Sequence, residues 1–237
     1  VNLDFQFMLD DTPTILKGLP TTLALTFWSL LMALALACVF GAVINARVPV
    51  LRPVVIALNT FIKGIPQIVQ LLFFYYGAPM VSRFFDGFLG YQDDPRHPPY
   101  FLAAVIALGL NFGAYMTDVV IASVSAVNRG QLEACLSVGM SRRQAWRRVV
   151  LPQVVVVSIP DMTNYLVWLL KATSVASIVG VVELLAAARI SASDSYLYME
   201  AYIVAALVYW LVCIAIEFGS RKLHNHLGIY AIDLKNR

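Results

Sequence analysis

The chain has 237 residues, of which 60% are apolar and 13% charged, with a net charge of +3. The charged share is about half of the ~25% usual in soluble domains, and the mean hydropathy is +0.76. This balance excludes a water-soluble globule and gives nucleic acid no basic domain to bind. It points to an all-α membrane protein, a single transmembrane domain over 1–237 with its core over 18–220 and its basic loops facing membrane lipid.

In chain order, the opening VNLDFQFMLDD is acidic and lacks the basic n-region of a secretory signal. A spanning helix needs roughly 20 apolar residues. Five stretches satisfy this: 21–44, a second between Pro53 and Pro79 that Lys63 and Pro66 interrupt, 100–124, 153–170 and 201–218. The stretch SRFFDGFLGYQDDPRHPP after the second is rich in Pro, Gly and Asp and predicts an irregular loop. Residues 171–200 are apolar but rich in small residues. They predict a short re-entrant or interfacial helix rather than a sixth span. The cysteines Cys38, Cys135 and Cys213 form no CxxC pair, so neither a disulfide framework nor a metal site is expected.

Five spans put the termini on opposite sides. With the N-terminus outside, the outer segments hold Lys17, Arg83, Arg96, Lys171 and Arg189, and the inner segments hold the other twelve of the 17 lysines and arginines. The excess of basic residues on the cytoplasmic side therefore predicts N outside and C inside. It also makes the segment between spans three and four, residues 128–152, cytoplasmic.

That segment reads NRGQLEACLSVGMSRRQAWRRVVLP and carries Arg142, Arg143, Arg147 and Arg148 close together. Leu132, Leu136, Ala145 and Val149 fall at spacings that line the apolar faces of two short helices. Gly139 lies between them, where the missing Cβ makes a turn cheap. Ser141 with Gln144 three residues on is a capping-box pattern. The expectation is helix, turn, helix, ending at Pro152. Either the arginines only enforce topology and bind lipid, or the pair seats in a groove of another protein.

The spacing Glu133-Ala134-Cys135, three residues, Gly139, nine residues, Val149-Val150-Leu151-Pro152 resembles the EAA loop of permease subunits of binding-protein-dependent ABC importers. Cys135 stands where that pattern has Ala, and Val149 where it has Ile. The similarity extends over roughly 18–218. IKGIPQIVQLLFFYYGAP, GAYMTDVV and LLKATSVAS resemble elements of the polar amino-acid type, with Lys63 for its usual Arg, Ile65 for Thr, Asp118 for Glu and Ile121 for Arg. The resemblance implies a permease of the bacterial inner membrane. It would form half of a pathway for a polar amino acid, cystine or an opine-like compound, beside a second permease subunit, identical or homologous. It implies an external substrate-binding protein and a cytoplasmic ATPase dimer carrying ATP and Mg. Glu133, Ala134, Gly139, Ser141, Arg142, Arg143, Leu151 and Pro152 would couple to that ATPase. Consistent with a non-catalytic subunit, no lysine here follows a glycine, so the phosphate-cradling GxxxxGK[ST] loop is missing.

Polar residues inside spans are costly and usually face a cavity or a partner. Three stripes recur at helical spacing: Lys63, Gln67 and Gln70 with Phe74; Asn111, Tyr115 and Asp118; and Asp161, Asn164, Trp168 and Lys171. They either glue helices together, with the two lysines snorkelling from helix ends, or line a hydrophilic path. In the second case Tyr115 and Asp118 line it, Asp118 facing a substrate ammonium. The alternative function, an ion-coupled secondary transporter, predicts internal repeats with broken helices; Pro66 and Pro160 supply candidate breaks but no repeat is evident. An intramembrane enzyme finds no HExxH or GxSxG motif, and His97, His224 and His226 all fall in loops or the tail.

Overall fold

The computed structural model describes residues 3–77 and 100–228. The predicted irregular loop lies outside the described residues. Ten α-helices account for most of the described chain: α1 (Phe5–Leu16), α2 (Leu19–Asn45), α3 (Leu51–Gly64), α4 (Gln67–Gly77), α5 (Tyr100–Ala126), α6 (Arg129–Ser137), α7 (Arg142–Ala145), α8 (Leu151–Ala172), α9 (Leu184–Ser191) and α10 (Tyr198–Gly228). Among the described residues there is no strand.

Four helical stretches are long and apolar enough to cross a membrane, and the bent pair α3–α4 makes a fifth. That pair turns by 100°, where the sequence predicts one span. Pro66 is the cause. It drives Ile65 out of the helical region, to φ −94° and ψ 129°, and supplies no N–H of its own. The freed carbonyls are met from within: Gln70 Nε2 donates to Ile62 O at 2.6 Å and to Ile65 O at 3.2 Å. Lys63 and Gln67 consequently sit on opposite sides of the break and share no helical stripe.

α2 and α5 form the central seam. A Cβ on Gly109 or Gly113 would lie 2.9 Å from Met32 Cβ or 2.8 Å from Leu36 Cδ2, so the two glycines let the helix backbones approach closely. In lipid this contact is van der Waals packing rather than a hydrophobic gain, which is why small residues mark the seam. Ala33, Ala37, Leu108, Phe112 and Met116 fill it, and Leu169 of α8 closes one side.

Segment 171–200 is not a span. α8 runs into a 3₁₀ turn (Thr173–Val179), Gly180 reverses the chain at φ 89°, and α9 follows. Glu183, fully buried, caps α9 through bonds from Leu185 N (2.9 Å) and Ala186 N (2.8 Å), and accepts from Tyr209 Oη at 2.6 Å. Thr22 of α2 accepts from Leu184 N at 3.0 Å. This network ties α2, α9 and α10 together, while Ile15 of α1 packs on the same cluster. α1 lies outside the predicted elements.

Replacing Glu183 with Ala leaves two amides and a phenol without their acceptor in a dry site. The expected loss is about 2–4 kcal/mol, read as a lower melting temperature in detergent, with Glu183→Gln less affected because one oxygen still accepts.

Candidate functional site

Two arrangements stand out. The first is a cleft between α5 and α8. Asp118 projects from α5 and pairs with Lys63 at the end of α3, Nζ to Oδ2 at 2.6 Å. The Lys63 side chain is 24% exposed and that of Asp118 53%, so the ammonium is held in the bundle while the carboxylate reaches the cleft. Asn59, one turn before Lys63, completes the group. Its amide nitrogen stands 3.3 Å from Asp118 Oδ1; in the reversed amide orientation its oxygen accepts from Lys63 Nζ at 3.2 Å and its nitrogen donates to Ala114 O at 3.0 Å. Lys63 is thus not a loop cation, and its vote on orientation falls away: the inner count becomes 12 − 1 = 11 against five.

Asp118 opens on a cavity of about 480 Å³ that Val119, Ala122, Asp161, Asn164, Tyr165 and Trp168 also line. That volume suits a small metabolite. One wall is aromatic. Tyr115 and Tyr165 stack at 6.0 Å, Tyr165 and Trp168 at 6.0 Å, and Phe112 meets Trp168 edge-on at 5.5 Å. Two carboxylates against one ammonium leave the cleft net negative, and among the described residues Asp161 forms no ion pair. A carboxylate beside aromatic faces is an environment that attracts an ammonium.

The structure therefore brings Lys63, Tyr115, Asp118, Asp161, Asn164 and Trp168 to one place. It sets the remaining pathway candidates elsewhere: Gln70 serves the α3–α4 break, Asn111 is buried on α5 away from the cleft lining, Lys171 is exposed at the end of α8, and Gln67 has its Nε2 buried without a partner among the described residues. Asn59 and Tyr165 belong to the site but not to the predicted stripes. Their spacing held a signal: each lies four residues from a charged stripe member, Lys63 and Asp161.

The second arrangement is the basic elbow. Asn128 caps α6 by accepting from Gly130 N at 2.8 Å. α6 ends in a Schellman turn: Met140 N donates to Cys135 O and Gly139 N to Leu136 O, both at 3.0 Å, with Gly139 at φ 85°. The predicted capping box is present, with Ser141 N donating to Gln144 Oε1 at 2.8 Å and Gln144 N to Ser141 Oγ at 3.3 Å. α7 does not stop before Pro152. It passes through a π-turn over Trp146–Val150 directly into α8, a helical run over Arg142–Val179. Pro152 offers no N–H to the carbonyl four residues back, and a π-turn accommodates that gap without ending the helix. Ala145 is buried as expected, but Leu136 is 45% exposed and Val138 77%. The apolar edge of the elbow therefore faces outward with Glu133, Ala134, Arg142 and Arg143, all exposed.

Residues 33–227 match the family described as binding-protein-dependent transport system inner membrane component. The chain is 38% identical over 214 residues to a probable amino-acid ABC transporter permease protein, PatM, of Vibrio harveyi, covering 90% of this chain and 92% of the relative. It is 32% identical to the L-cystine transport system permease protein TcyL of Bacillus subtilis (strain 168), covering 92% and 89%. The solved structure of an amino acid ABC transporter with histidines superposes with a TM-score of 0.80 at 29% identity, over 95% of this chain and 100% of that one. The secondary-transporter alternative gains no support from these likenesses.

Removing one member of the Lys63–Asp118 pair strands a charge inside the bundle. Asp118→Leu is expected to cost about 1–2 kcal/mol, a value discounted for the half-exposed carboxylate. Adding Lys63→Met should restore most of it, as measured by thermal unfolding of the two variants in one detergent.

Proposed function

The chain belongs to the family of inner membrane components of binding-protein-dependent transport systems, and on that premise we propose that it forms half of an ATP-driven import pathway for an amino acid. It would sit in the bacterial inner membrane with its N-terminus outside and its elbow in the cytoplasm. A second permease, identical or homologous, would complete the pathway, and an external binding protein would deliver the substrate. The chain itself binds no cofactor in this reading; ATP and Mg act on a separate ATPase dimer that grips the elbow.

One observation carries this function: the elbow and the cleft share a helix. From Leu151, beside the π-turn, to Asp161 is ten residues, about 15 Å of helix, and Asp161, Asn164 and Trp168 all ride on it. A displacement of the elbow by a closing ATPase dimer reaches the cleft wall without crossing a loop. In the cleft, Asp161 is the better partner for a substrate ammonium than Asp118, because Asp118 is already engaged by Lys63 at 2.6 Å. The aromatic wall of Tyr115, Tyr165 and Trp168 would shield that ammonium from competing water. Where the resembling type has an Arg, this chain has Ile121; Lys63, on α3, supplies the cation for the Asp118 carboxylate instead.

The test is reconstitution. The tagged chain is expected to co-purify with a protein carrying a phosphate-binding loop, and vesicles holding the complex should take up amino acid only with ATP inside. Uptake that survives ATP depletion would overturn the proposal. Two substitutions locate the parts. Gly139→Val forces a β-branched residue to φ 85° and is expected to lower substrate-stimulated ATPase activity at least about tenfold. Asp161→Asn should reduce uptake about tenfold or more while basal ATPase activity persists, since it removes the charge in the cleft and leaves the elbow intact.

A further inference from the structure

A second cavity, about 350 Å³, lies at the elbow end of the bundle and has no part in the function proposed above. Its floor and walls come from the loop after α2, the start of α3, the junction of α5 and α6, and the π-turn. Arg47 lines it from the α2–α3 loop and Arg52 from the first turn of α3, and Asn45 and Trp146 also line it. No Asp or Glu lines it. Among the described residues neither arginine forms an ion pair.

Helix ends do not settle the charge. α2 and α5 finish here and bring partial negative charge, while α3 and α6 begin here and bring partial positive charge. These contributions oppose one another, and the two guanidiniums decide the sign. One further feature points to a ligand. The loop that carries Arg47 and leads into the α3 turn bearing Arg52 holds Arg47 at φ 52° and Val50 at φ 67°, conformations rare for residues with side chains and rarest for β-branched ones. Strain of this kind is kept where the surroundings fix it and concentrates at ligand clamps.

We infer that this cavity binds a phosphate-bearing anion, with Arg47 and Arg52 as its counter-charges and Trp146 and Ile121 as its apolar wall. Guanidinium forks match phosphate oxygens in pairs, and the mixed lining suits a phosphate ester better than the bare ion. On the proposed orientation the cavity opens at the cytoplasmic leaflet, where anionic lipid headgroups are available; a soluble phosphate ester has the same chemistry. An occupant would touch the loop after α2, the start of α6 and the π-turn together, and so would stiffen the elbow.

The experiment titrates the full chain, in a neutral detergent, with dioctanoylphosphatidylglycerol, dioctanoylphosphatidylcholine and inorganic phosphate, following heat of binding. Phosphatidylglycerol is expected to bind at least tenfold more tightly than phosphatidylcholine. Arg47→Gln with Arg52→Gln should weaken it tenfold or more, the Lys/Lys double variant should recover part, and Arg221→Gln on α10 should change nothing. Arg52→Gln alone should weaken it severalfold and serves if the double glutamine variant fails to fold. Binding of inorganic phosphate with the same arginine dependence supports the site with a soluble source; binding of phosphatidylglycerol alone supports a lipid. Equal affinity in wild type and the Gln/Gln variant, or an equal loss in Arg221→Gln, overturns it. The titration requires no ATPase, so its failure would leave the proposed coupling standing.

Discussion

A bilayer core offers no water to a polar group, so each one must find its partner inside the protein. Much of what is unusual in this chain follows. Pro66 breaks a span, and Gln70 answers by bonding the carbonyls the break exposes. The short helix α9 begins inside the bundle, and a carboxylate reaches back to hold its first amides. Threonines on α2 and α5 return their hydroxyls to carbonyls one turn earlier, as Thr26 does to Thr22 and Thr117 to Gly113. These bonds make irregular backbone tolerable at membrane depth, and the irregular backbone in turn gives a small protein concave surfaces.

The same constraint sorts the charges. An isolated ammonium in the bundle would be untenable, and Lys63 is accordingly pinned to Asp118. That pairing has a consequence for recognition. It neutralises the carboxylate that the sequence singles out, and under the proposed function the role of counter-charge would pass to Asp161, one helix away across the same cavity. A cleft with a satisfied ion pair on one wall and, among the described residues, an unpaired carboxylate on the other is asymmetric, and a zwitterion such as an amino acid has two unlike ends to place in it.

Hydropathy and period made most of this legible before any coordinates. Four of the five spans stand where apolar length puts them, and the elbow was readable because turn chemistry is local: Gly139, Ser141 and Gln144 act on their nearest neighbours. The stripe through Lys63, Gln67 and Gln70 fails because helical spacing does not carry across Pro66, although the restriction a proline places on the residue before it is also local. Tyr115 and Asp118 of α5 do meet Asp161, Asn164 and Trp168 of α8, since each helix is continuous and its face is set by 3.6-residue geometry. What no periodicity could supply was the partner on another helix. That Lys63 meets Asp118, that Tyr209 meets Glu183, or that the loop after α2 folds over the start of α6 depends on packing between distant segments. Glu183 gave no warning in the sequence, because a buried capping carboxylate and an exposed one have the same neighbours in the chain.

The packing also assigns unequal roles to the helices. α2 and α5 meet through glycines, backbone close to backbone, and such a seam has little freedom to slide. α8 meets α5 through aromatic rings with centroids 5.5–6.0 Å apart, a contact that adjusts by ring rotation. At its far end α8 runs through the 3₁₀ turn to the Glu183 network, which is bonded to α2 and α10; at its near end it continues into the elbow. Under the proposed function α8 is then a lever, pivoting at the capped end and driven at the basic end. Its 22 residues span about 33 Å. Asp161 lies eleven residues from Ala172, near the midpoint, so a rigid swing moves it about half as far as the elbow. An elbow shift of about 4 Å would carry Asp161 about 2 Å relative to Asp118, which is fixed on the seam, and a hydrogen bond or ion pair does not survive a change of that size. Under that reading the cleft would need no hinge of its own to exchange a binding state for a releasing one.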